Sequence, residues 1–173
     1  MDNQKKLVTQ TSSEKLQSKK DYKTKITKLP NGNLFFTTAF SSTEVDIRKI
    51  VCVIAKEQYI KFYYMKGPNP PLIRCSMCQL EPFLISEKII RPHYSHFVNI
   101  DFMILFFDYS KELLVLMKNK MVLRVARLKR NDFFEHTNAY AHVKYLNPVR
   151  GRDIKRINIL VQHWKTQQQN HRS

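Results

Sequence analysis

The sequence predicts a mainly β or α+β fold: a small OB-like β-barrel (oligonucleotide/oligosaccharide-binding type) with a C-terminal α-helix and a disordered basic N-terminal tail. Three observations carry this. Apolar residues between positions 34 and 145 recur mostly at every second position in short runs, as half-buried strands require. After Asp153 the spacing changes to three, four and three. Residues 1–28 contain eight lysines against three carboxylates and few large apolar residues. Such a segment cannot bury enough surface to offset its ordering entropy, so it reads as a mobile tail. With only three glycines the chain is a poor match for a turn-laden sandwich. An α+β sheet with the helix on one face is the competing architecture.

The elements follow in order. Pro30-Asn31-Gly32-Asn33 is a turn, and Leu34–Phe40 reads as a strand. Val45 to Ala55 ends in the apolar run Ile50-Val51-Cys52-Val53-Ile54, and Lys56-Glu57-Gln58 joins it to Tyr59–Met65 as a hairpin. Gly67-Pro68-Asn69-Pro70-Pro71 stops that pair, because prolines cannot donate to a ladder. Val98, Ile100, Phe102, Ile104 and Phe106 give the cleanest alternation in the chain and predict one central, buried strand. Leu113–Met117 and Met121–Leu128 flank Lys118-Asn119-Lys120 as another hairpin, and Ala139, Ala141, Val143 and Tyr145 alternate again. Asp153 is a good N-cap for a helix over 153–168, with Ile154, Ile157, Val161 and Trp164 on one face and a polar end at 170–173. One domain, residues 29–169, is expected.

Composition bounds the function. The chain of 173 residues carries 30 Lys and Arg against 14 Asp and Glu, a formal charge of +16. Such a charge attracts polyanions, chiefly nucleic acid, and less directly an anionic membrane face or an acidic protein. No run approaches the ~18 apolar residues of a membrane-spanning helix. The opening MDNQKKLVTQ lacks the apolar stretch of a secretory signal, and Cys52, Cys75 and Cys78 form no evident disulfide framework. A reducing compartment, nucleus or cytoplasm, is the expectation.

Cys75-Ser76-Met77-Cys78 and His93-Tyr94-Ser95-His96 form C-x2-C-x14-H-x2-H. Two thiolates from a tight turn and two imidazoles make a tetrahedral set, so Cys75, Cys78, His93 and His96 are candidate ligands for one structural zinc. The histidine spacing is shorter than usual, and reduced cysteines beside two unrelated histidines are the plain alternative. Cys52 sits in an apolar strand and reads as a small buried hydrophobe.

Over residues 118–156 eleven basic residues meet three acidic ones. Arg124, Arg127, Lys129 and Arg130 lie at or past one strand end. Arg150, Arg152, Lys155 and Arg156 surround the predicted helix start, where free backbone N–H groups favour phosphate. Aromatic rings add base stacking at about 1–3 kcal/mol each, with Tyr63 and Tyr140 the candidate exposed rings. No Gly-rich phosphate loop, H-E-x-x-H or G-x-S-x-G occurs, so an enzyme is not expected. The sequence favours a non-catalytic binder of single-stranded RNA or DNA, with no small-molecule substrate. The alternatives are an accessory subunit of a nucleoprotein complex, docking a protein partner through Ile154, Ile157, Val161 and Trp164, or a matrix-like protein bridging membrane and nucleoprotein.

Overall fold

The computed structural model describes residues 24–86 and 88–146, with residues 155, 158, 159, 161, 162 and 166 in the C-terminal segment. The fold is mainly β, as expected, but among the described residues the strands close no barrel and make three separate sheets. The first holds β1 (Lys25–Lys28), β2 (Leu34–Thr37) and β3 (Ser42–Val45) in that order, all antiparallel. The middle sheet has the order β6-β5-β4-β8-β7, from β4 (Ile50–Lys56), β5 (Tyr59–Tyr64), β6 (Ile73–Arg74), β7 (Ile89–His93) and β8 (His96–Asn99). The third has the order β11-β10-β9-β12, from β9 (Met103–Tyr109), β10 (Glu112–Met117), β11 (Val122–Val125) and β12 (Lys144–Leu146), the last parallel to β9.

The stacking of these sheets explains the sequence pattern. Ile50, Val53, Ile60, Phe62 and Phe97 face the first sheet, where they meet Leu34, Phe36 and Val45. Val51, Cys52, Ile90 and Val98 face the third, where they meet Phe106, Val115, Leu123 and Val125. The middle sheet is thus buried on both faces, which requires a continuous apolar run in β4 rather than alternation. A barrel would leave one face of each strand to solvent or a lumen; here a third sheet takes up that face instead.

Two helices fill the sides, and neither was legible in the apolar pattern. Helix α1 (Met77–Leu84) starts with a capping box: the Ser76 hydroxyl accepts from the Gln79 N–H at 3.2 Å and the Gln79 side chain accepts from the Ser76 N–H at 3.0 Å. Met77, Leu80 and Leu84 bury into the first core. Helix α2 (Arg130–Asn138) follows a 3-10 turn at Arg127–Lys129 and anchors Phe133 in the second core. Its sequence, RNDFFEHTN, has weak intrinsic helix propensity, so burial of Phe133 drives it.

Two expected boundaries move. The alternating run from Val98 to Phe106 is two strands in different sheets, broken by a 3-10 turn at Ile100–Phe102. Asn99 makes the break: its side chain accepts from the Asp101 N–H and donates to the Ile50 carbonyl, both at 3.0 Å. Strand β1 falls inside the segment assigned to the basic tail, because its ladder with β2 satisfies backbone groups that composition does not register; residues 1–23 lie outside the described residues. Lys155, Asn158, Ile159, Val161, Gln162 and Thr166 are helical, within the expected 153–168. Among the described residues no helix is long and apolar enough to cross a membrane.

Candidate nucleic-acid interface

One end of the middle sheet brings together basic and aromatic side chains, with Arg74 exposed and Lys56 half-buried. There β4 ends at Lys56, β5 begins at Tyr59, and Arg74 of β6 stands opposite Tyr59 in register. The β7–β8 turn joins the same end: the Ala55 N–H donates to the Ser95 carbonyl at 2.8 Å, and His96 pairs with Ile54. Tyr94, at the tip of that turn, is 75% exposed and Tyr59 41%. Tyr94 had no sequence signal, since it lies within the apparent metal motif; Tyr59 lies on the aromatic strand, where the alternation pointed to Tyr63 as the exposed ring.

The third sheet is tied to this end by two hydrogen bonds. The Ala126 N–H donates to the Pro92 carbonyl at 2.8 Å. The His96 Nε2–H donates to the Arg124 carbonyl at 2.9 Å. Both place the Arg127–Lys129 turn beside the β7–β8 turn, with Arg127 exposed and Leu128 94% exposed. Arg91 braces the junction. One guanidinium nitrogen pairs with Glu81, another donates to the Tyr94 carbonyl at 2.8 Å, and the group lies 5.5 Å from the Phe97 ring centroid.

The expected binding residues divide by what they already touch. Arg124 pairs with Glu112 at 2.9 Å, Lys129 with Asp132 at 3.1 Å, and Arg130 with Asp108 at 3.6 Å and the Lys111 carbonyl at 2.6 Å. Arg127 belongs to none of the ion pairs among the described residues. Tyr63 is half-buried against the second core with the Lys61 ammonium 5.0 Å from its ring centroid. Tyr140 packs against the same core, edge-on to His142. Neither ring is the open stacking platform the sequence suggested, because both complete the core on the third-sheet side. Lys155 is exposed on the C-terminal helix, whereas Arg150, Arg152 and Arg156 lie outside the described residues. Of the docking stripe, Ile154, Ile157 and Trp164 also lie outside them. Val161 is 1% exposed, buried on the outer face of the third sheet against Leu105, Phe107 and Leu114, so it is covered within the chain and is no docking residue.

The two expected histidine ligands stack on each other and share Ser95, while the two cysteines differ in burial. Cys75 is buried, and burial pushes its thiol up to about 11. Cys78 is exposed, with an Arg91 nitrogen 3.9 Å from its sulfur. The His93 and His96 rings stack with centroids 4.9 Å apart. The Ser95 N–H donates to His93 Nδ1 at 3.2 Å, so that nitrogen is unprotonated, and the Ser95 hydroxyl lies 2.8 Å from it. Among the described residues no group of three or more His, Cys, Asp or Glu is placed to hold a metal. Nothing in this arrangement favours the zinc expectation; metal analysis of the purified protein tests it directly.

His96 instead links two sheets as a neutral ring. Burial first, then the nearby His93, pushes its pKa down to about 3. The unfolded chain therefore takes up the proton first, near pH 6.5, and stability present above that pH is lost as pH falls. The slope expected from this ring is about 1.4 kcal/mol per pH unit. Urea midpoints from pH 7.5 to 5 should fall accordingly, and His96→Gln, which keeps a donor for the Arg124 carbonyl, should flatten the fall.

No protein-family model matches the chain, and no curated protein does. Among solved structures the fold is similar to a LytTr DNA-binding domain from Bacillus cereus, with a TM-score of 0.50 and 19% identity over 60% of this chain and 94% of that domain. At that identity the likeness is one of fold.

Proposed function

We propose that the chain is a non-catalytic DNA-binding protein that engages duplex DNA through the sheet end bearing Arg74, Tyr59, Lys56, Tyr94 and Arg127. The observation that carries the reading is the convergence of Tyr94 and Arg127, from two different sheets, on one exposed edge. The row crosses β6, β5, β4 and β8 at about 4.8 Å per strand, roughly 15 Å in all. That compares with a major groove about 12 Å wide, so the outer cations reach phosphates on both strands while the central side chains face base edges. Similarity to a fold whose described example is a DNA-binding domain supports the reading. Half-buried Tyr63 and Tyr140 weigh against the single-strand mode, which needs open rings.

The test is a titration into a labelled duplex, its separated strand and an RNA duplex across a salt series. Duplex DNA is expected to bind most tightly, with log Kobs falling about 0.9 per phosphate contact per log salt. Tighter binding of the single strand would restore the stacking mode. Absence of binding to any of the three would shift the function to a protein-embedded subunit.

A further inference from the structure

The opposite end of the same sheet is also strongly basic. Arg48 and Lys49 precede β4, Lys66 follows β5, and Ile50 stands opposite Tyr64 in register. The Asn99 side chain donates to the Ile50 carbonyl, and the Ile100 N–H donates to the Lys88 carbonyl at 2.8 Å, which brings Lys88 to this end. The Lys118 N–H donates to the Phe102 carbonyl at 2.8 Å and its ammonium to the Asp101 carbonyl at 2.8 Å, which adds the turn carrying Lys118 and Lys120. All six basic residues are exposed. Among the described residues two carboxylates pair with them, Asp46 with Arg48 at 3.0 Å and Lys49 at 3.7 Å and Asp101 with Lys88 at 2.9 Å, and Glu44 stands near Asp46, held by Asn31 and Asn33.

The Tyr94 end is also net positive, with Glu57, Glu81, Asp108, Glu112 and Asp132 among Lys56, Arg74, Arg91, Lys111, Arg124, Arg127, Lys129 and Arg130. The proposed DNA edge uses none of the six cations at this end, so their clustering calls for an explanation of its own. The two ends are separated by the length of β4, seven residues or about 23 Å. That is well beyond the ~8 Å screening length at physiological salt, so two duplexes held at opposite ends repel each other little.

We propose that this second basic end binds the phosphate backbone of another DNA duplex, so that one molecule bridges two duplexes. The inference rests on the duplex-binding reading above. Its sequence-independent chemistry requires only cations, and the end presents no exposed arginine–aromatic pair to read bases.

The experiment tethers one duplex to beads and measures protein-dependent capture of a second, labelled duplex, alongside single-duplex affinity in solution. The wild-type chain should capture the second duplex. Lys66→Glu with Lys120→Glu, whose side chains take part in none of the ion pairs or hydrogen bonds among the described residues, should cut capture at least about fivefold and change single-duplex affinity less than about twofold. Binding of one duplex without capture of a second by the wild type would overturn the bridge and leave the first reading standing; no duplex binding at all would overturn both. Undiminished capture by the double variant would also overturn it, because bridging would then come from two chains joined by protein contacts. Retention of anionic vesicles, lost in the double variant while capture of DNA is unchanged, would assign this end to a membrane surface and overturn the bridge.

Discussion

Arg127→Ala is expected to weaken duplex binding by about tenfold or more, within the 1–3 kcal/mol of a direct arginine contact. Its melting temperature should hardly move, because the side chain is exposed and outside the ion pairs of the fold. Arg127→Lys separates the two kinds of contact. Lysine keeps the charge and restores a phosphate contact, but it lacks the planar fork that reads a guanine edge. Recovery of affinity by lysine would make Arg127 a backbone contact. Continued loss, largest on the preferred sequence, would make it a base contact. An alanine variant that binds as tightly as the wild type would remove Arg127 from the interface and with it the main support for this edge. Fluorescence anisotropy against two unrelated duplexes measures both quantities.

Phe106→Ala should have the largest effect on stability, about 3–5 kcal/mol. Phe106 lies at the centre of the second core, with ring centroids 5.2 Å from Phe133, 5.5 Å from Phe134 and 5.2 Å from Tyr145. Removing it opens a cavity under α2 and forfeits the edge-on contacts with Phe133 and Phe134 and the tilted one with Tyr145. Since whole domains are stable by only about 5–15 kcal/mol, the loss is a large share of the total. Urea unfolding followed by far-UV circular dichroism checks it, and a cost under about 1 kcal/mol would mean that the core re-closes around the gap. At a temperature where the variant remains folded, its DNA affinity should fall too, because α2 and the Arg127 turn share the anchor of Phe133.

Much of the strand content is legible in the sequence. The hairpins β4–β5 and β10–β11 follow from apolar runs bounded by polar links, and the charge by itself points toward a polyanion. Helix α1 was legible in principle through its Ser76–Gln79 capping box, but the same residues also read as a C-x2-C knuckle. Asn99 marks the point where a seemingly single strand changes sheet, and its polar side chain amid apolar residues was the available signal.

By itself, then, the sequence determined the mainly β class, most strand positions and the basic character of the surface, because these depend on local periodicity and on summed charge. Only the tertiary structure decided that the strands form three stacked sheets rather than a barrel, that Val161 is covered, and that Tyr94 and Arg127 share an edge. Those outcomes depend on which apolar faces meet and on hydrogen bonds between distant backbone groups, such as Ala126 to Pro92 and His96 to Arg124. Backbone groups are nearly the same at every residue, so the sequence carries no local mark of which ones will pair across the fold.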